Sequence, residues 1–192
     1  MWPWEHLVVA YVCYSLLVHV TWRRPPTTRE TIAVAVGSQL PDLIDKPLAW
    51  TFGITDTGYA IGHSIVVVPF VCLAVFAITA RFRDGRFLTG AFSLAYGSHL
   101  VTDVLNPMRM GRDPELRVIL WPLESPPTDD HGGFLDHFVI YFVRYTNQLL
   151  SGGLSGALLA QLWVVVAVVA LWLYDGAPIA SDCVRIVRSR LR

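Results

Sequence analysis

Six ionisable side chains interrupt segments that would otherwise be apolar. They are His6, then Asp42 and Asp45 in Pro41-Asp42-Leu43-Ile44-Asp45, then His63, then His99 and Asp103. A charged side chain in the middle of a membrane span costs about 2.5–3.5 kcal/mol on insertion scales, so residues of this kind are functional candidates by default. His99 and Asp103 stand at i and i+4, on one face of a helix, and Asn106 continues that face at i+7. An imidazole and a carboxylate so placed can grip one ion. Neutral imidazoles with carboxylates suit Zn²⁺ first, with Mn²⁺ or Fe²⁺ as alternatives. Cys13, Cys72 and Cys183 are odd in number and far apart, which argues against a disulfide framework and against a thiolate zinc site. A coordination position left open on the ion would hold a water and bring its pKa near 7.

Each piece alone has a plainer reading. A His/Asp pair at i, i+4 recurs on ordinary helices. Pro41 with Asp42 reads as a helix stop, His63-Ser64 as a helix cap, and His6 as an interface residue beside Trp4. The metal reading rests on the elements that carry them. Apolar runs cover 6–22, 62–81, 87–105 and 156–174, and a shorter helix covers 28–42, opened by a Thr27/Glu30 capping box and ended at Pro41. Pro69 is expected to kink the third run rather than end it. If these helices alternate across a bilayer, all six residues fall at one level of the bundle. His19 lies at the opposite end, where it is expected to be structural and without partners, and Asp56 reads as a solvated loop residue. His131 and His137 are on the correct side as further ligand or acid/base candidates. Residues 106–134 read as a polar, proline-rich loop, and Asp136–Leu150 as an interfacial amphipathic helix.

Composition agrees with the membrane reading. The chain has 192 residues, of which 54% are apolar and only 16% charged, against about 25% charged in ordinary soluble domains. That excludes a soluble globule, a disordered tail and a basic nucleic-acid binder. No repeat and no domain boundary is visible, so residues 1–192 read as one membrane-embedded helical domain. The N-terminus has no basic region of the signal-peptide kind, and Trp2 and Trp4 read as interface anchors. The fifteen basic and fifteen acidic residues balance overall, but alternation separates them: one side holds ten basic and four acidic residues, the other five and eleven. The positive-inside rule then puts the C-terminus in the cytoplasm and the six-residue cluster outside. With zero net charge and an acidic outer face, no nucleic acid is an expected partner.

The ordered set His6, Pro41-Asp42-Leu43-Ile44-Asp45, His63-Ser64 and Gly97-Ser98-His99-Leu100 with Asp103, followed by Asn106-Pro107 and Trp121-Pro122, resembles the family of LexA-binding, inner-membrane-associated, metal-dependent hydrolases. The resemblance covers about residues 1–125. It is more distantly similar to zinc-dependent phospholipase C and related single-strand nucleases. That likeness implies that His63, His99, Asp103 and one of Asp42 or Asp45 hold a first metal, and that His6 and Asp103 share a second.

The expectation is therefore an all-α, polytopic membrane protein with four to five embedded helices. Its activity would be hydrolysis of a phosphoester of a lipid or lipid-linked substrate through a metal-bound hydroxide. Asp45 is favoured as the ligand because it lies further past the Pro41 break, and whichever of Asp42 and Asp45 is not a ligand would orient a ligand or activate water as general base. Arg109, Arg112 and Arg117 follow the fourth helix on the same side and could meet substrate phosphate or lipid headgroups. The rivals are a metal carrier or ion-coupled transporter, and a membrane scaffold keeping a structural metal. The lack of an internal repeat, and ligands near helix ends rather than the midplane, weigh against a transporter.

Overall fold

Pro3 opens the first helix, α1 (Pro3–Trp22), where a missing N–H costs nothing. Glu5 accepts the Trp2 amide at 2.9 Å and so ties off its start. The computed structural model describes residues 1–128, 133–151 and 156–190. Within them helices are the only regular structure, with no strand: α2 (Thr28–Lys46), α3 (Val68–Thr79), α4 (Gly85–Leu105), α5 (Phe134–Ser151), α6 (Gly156–Tyr174) and α7 (Ala180–Arg190) follow α1. A π turn over Pro47–Thr51 and 3-10 turns over Asn106–Met110 and Leu116–Ile119 complete it.

α1, α2 and α4 form the centre. Ala10, Tyr11, Tyr14 and Val18 of α1 meet Val34 of α2 and Ala91 and Ala95 of α4. α3 packs beside Phe92, Tyr96 and Leu100 of α4 through Val71, Cys72 and Val75. Small residues let the backbones close up. A Cβ on Gly37 would stand 2.5 Å from the Phe92 carbonyl oxygen, so α2 and α4 can touch only because position 37 is glycine.

Two expectations change. Pro41 does not end α2, which runs on to Lys46. The ring removes a single hydrogen bond, to the carbonyl of Gly37, and packing on α4 holds the helix across it. Pro69 does not kink a long third helix: α3 starts at Val68, with Pro69 in its first turn. The helix is then 12 residues, about 18 Å at 1.5 Å per residue, and residues before it are turns. The tail after Tyr174 holds a further helix, α7. The capping box on α2 is present as read, with Thr27 N–H donating to Glu30 at 2.8 Å and Glu30 N–H donating to Thr27 Oγ1 at 3.3 Å.

α1 is the one described helix long and apolar enough to cross a membrane, while Val68–Thr79 and Leu159–Tyr174 are shorter apolar stretches. Polar side chains are buried beside the apolar core, while many large apolar ones face outward. His63, His99, Asp45 and Ser38 are fully buried, whereas Phe70, Leu73, Phe76, Trp163, Val166 and Leu173 are exposed.

Candidate metal centre

Four elements meet at the end of the bundle away from the Arg23–Arg24 corner. α2 brings Asp42, the turn before α3 brings His63, α4 brings His99 and Asp103, and α1 starts beside them with His6. One ligand atom from each of Asp42, His63, His99 and Asp103 lies within 4.8 Å of the other three, and all four residues are buried. His63 Nε2 and His99 Nε2 are 3.2 Å apart. Each stands 3.4 Å from Asp103 Oδ2 and 3.7 Å from Asp42 Oδ1. Metal–ligand bonds of about 2.0–2.1 Å imply tetrahedron edges of about 3.3 Å, so this spacing fits one small divalent ion.

The hydrogen bonds behind the rings decide which atoms face inward. His99 Nδ1–H donates to the Ser38 carbonyl at 2.6 Å, and His63 Nδ1–H donates to Asp45 Oδ2 at 2.8 Å. In the neutral form each ring then turns a bare Nε2 to the centre. Asp42 Oδ1 is buried with no hydrogen-bond partner. Two ring nitrogens and two carboxylate oxygens face one another, an arrangement that needs positive charge among them, from a ring proton or from a bound cation. The residues fit a divalent metal.

Asp45 has a different task from the one expected. Its carboxylate accepts from the backbone of Ala60 (2.8 Å), Gly62 (2.7 Å) and His63 (3.0 Å), besides the His63 ring. It therefore wraps the 60–63 turn and orients His63, and Asp42 supplies the oxygen at the centre. Because α2 continues past Pro41, Asp42 lies one turn deeper against α4, and Asp45 lies level with the turn. Lys46, at i+4, ion-pairs the second oxygen of Asp42. Gly62 is tied on both sides: its carbonyl accepts the Tyr96 hydroxyl, and a Cβ there would stand 2.7 Å from the Pro41 carbonyl oxygen.

His6 stacks on His99, with ring centroids 3.7 Å apart and 19° between planes. Its Nδ1 is 3.0 Å from Thr102 Oγ1, whose own proton goes to the His99 carbonyl, so His6 Nδ1 is the donor. His6 Nε2 is left buried without a hydrogen-bond partner, 3.3 Å from Asp103 Oδ1. The Met1 amine lies 3.1 Å from the same oxygen. Asp103 thus turns one oxygen to His63 and His99 and the other to His6.

The remaining candidates stand apart. Arg109 pairs with Glu5 at 2.8 Å, and Arg117 grips Glu115 at 2.6 and 2.7 Å. The Arg117 guanidinium holds the Glu115 carboxyl below the usual carboxylate range. Arg112 is exposed and contacts the Met110 sulfur at 3.3 Å. None of the three has a hydrogen bond or ion pair to the His/Asp cluster among the described residues. His137 is buried away from the cluster, its ring stacked on Trp50 at 4.3 Å and its Nδ1 3.2 Å from the Gly133 carbonyl. His131 lies outside the described residues.

His19 is not without partners. Its Nε2 is 2.7 Å from Asp175, which also accepts Tyr11 (2.6 Å) and Ser15 (2.7 Å). Asp175 was invisible to the sequence reading because the turn of α1 that receives it lies more than 150 residues away. The Ser38 carbonyl carries no sequence signal at all, whereas Thr102, at i+3 from His99, could have been read from spacing.

Residues 1–180 match the family described as YdjM inner membrane protein, and the chain belongs to that family. No curated protein and no solved structure matches it. The match carries no hydrolase and no phospholipase C assignment.

Proposed function

We propose that this member of the YdjM inner membrane protein family is a membrane-embedded, metal-dependent hydrolase acting on a phosphoester of a lipid or lipid-linked substrate. The observation that carries the reading is the pair of buried imidazole Nε2 atoms 3.2 Å apart, grouped with one oxygen each of Asp42 and Asp103 within 4.8 Å of one another. A divalent ion, Zn²⁺ first, would supply Lewis acidity for a phosphoryl oxygen and a water of lowered pKa. Asp42, His63, His99 and Asp103 hold it. Asp45 acts by orienting His63, and its four donors leave it poorly suited to move a proton. His6 Nε2 and Asp103 Oδ1 are the donors for a second ion.

The multi-pass topology belongs to the same reading. α1, α2, α4 and α6 cross or enter the bilayer, with α3 reaching part of the way and α5 at the interface. Arg24 pairs with Glu30, and Arg29 with Asp84 at 2.9 Å, so the arginine-rich starts of α2 and α4 share one end. We assign that end to the cytoplasm and the metal centre to the outside.

One observation favours a rival. Four protein donors can close a tetrahedron by themselves, as structural zinc sites do, whereas catalytic sites keep a position open. The purified protein, assayed for metal and then against soluble and lipid-linked phosphoesters with and without chelator, separates the two. Chelator-sensitive turnover that returns with metal supports the hydrolase. Stoichiometric metal with no turnover of any ester supports the scaffold.

A further inference from the structure

α6 presents an apolar, outward surface, and it ends at Tyr174 in a corner that is tightly held. Asp175 accepts its three hydrogen bonds from α1 there. The Ile179 amide donates to Thr28 Oγ1 at 3.1 Å, and Trp172 Nε1–H to the Pro178 carbonyl at 3.2 Å. Gly176 has φ +84°, so the chain leaves α6 rather than extending it. The corner is therefore fixed to the end of α1 and the start of α2, at the arginine-rich level.

α7 follows from this corner with no buried residue. At 100° per residue, Ala180, Cys183, Val184 and Val187 share one face. Arg188 flanks that face on one side and Arg190 on the other. Arg185 points to the opposite face, where it pairs with Asp182 at 3.1 Å. Arg188 and Arg190 have no ion pair among the described residues. An exposed apolar stripe with unpaired arginines on both borders suits the boundary between acyl chains and anionic headgroups, because arginine stems cover hydrocarbon while the guanidinium reaches phosphate.

We propose that α7 is an anionic-phospholipid-binding helix, held at the cytoplasmic leaflet by the Asp175 corner. Two features favour lipid over a protein partner: the lipid-facing surface of α6 leads directly into α7, and the charge next to the apolar stripe is all of one sign.

The test uses the full-length protein in lipid nanodiscs, with Cys13→Ala and Cys72→Ala leaving Cys183 for an environment-sensitive fluorophore. Discs containing phosphatidylglycerol should give blue-shifted emission, and high salt or purely zwitterionic discs should reverse it. Each of Arg188→Glu and Arg190→Glu should reduce the ratio of inserted to lifted α7 by about fivefold or more, since one basic residue near such a surface contributes about that factor. Thermal unfolding of the variants reports that the bundle is intact. The proposal is overturned if emission is the same in both kinds of disc. Emission that depends on the number of copies per disc and not on lipid charge also overturns it, and points to a second copy as the partner.

Discussion

The two imidazoles at the centre can act as ligands because their other nitrogens are already committed, one to a carboxylate and one to a carbonyl. Such outer partners typically set metal affinity by 10–100-fold. At this scale two outcomes are expected. His99→Ala and Asp103→Ala should each lose most bound metal, measured by elemental analysis of purified protein, whereas His19→Ala should keep it, since His19 serves the Asp175 corner at the far end. Equal metal in all three variants would remove the site. The two aspartates of the Pro41 segment should also divide. Asp42→Asn should abolish stoichiometric binding, because Oδ1 is the inward atom. Asp45→Asn should retain metal with affinity weakened by roughly 10–100-fold. The reverse order would restore Asp45 as the ligand.

At the level of elements, the centre depends on how closely α2 approaches α4. Gly37 sets that approach, since any Cβ collides with the Phe92 carbonyl, a backbone atom that cannot swing aside. Gly37→Ala is expected to destabilise the protein by about 1–3 kcal/mol, as overpacking in a close-packed interior does. It should also loosen metal binding, because Asp42 and His99 sit on the two helices it would push apart. A melting temperature and metal affinity equal to wild type would show that the interface yields more easily than its geometry allows. α2 survives Pro41 for the same reason: tertiary packing outweighs one lost hydrogen bond.

For the whole molecule, the many exposed large apolar side chains fit a protein of an inner membrane family. With the His/Asp cluster at one end and the arginine-rich starts of α2 and α4 at the other, a reporter fused after Arg192 is expected in the cytoplasm. A tag within 124–128 should be accessible from outside, as measured by protease or alkylation of intact cells. A cytoplasmic tag at 124–128 would invert the topology or remove a span.

Much of the centre was legible in the sequence, because the helical period puts His99 and Asp103 on one face and alternation brings the helix ends of His6, Asp42 and His63 to the same level. α1, α4, the capping box on α2 and the bounds of α6 follow from apolar runs and local caps, which need no distant partner. What tertiary structure decided was everything that depends on a distant backbone atom. Asp42 rather than Asp45 faces the centre because the 60–63 turn, remote in sequence, offers its amides to Asp45. Asp175 became a buried acceptor only when α6 returned to α1. Pro41 stayed inside a helix, and Pro69 began one, because packing and turn geometry, not propensity, choose between the roles proline can fill.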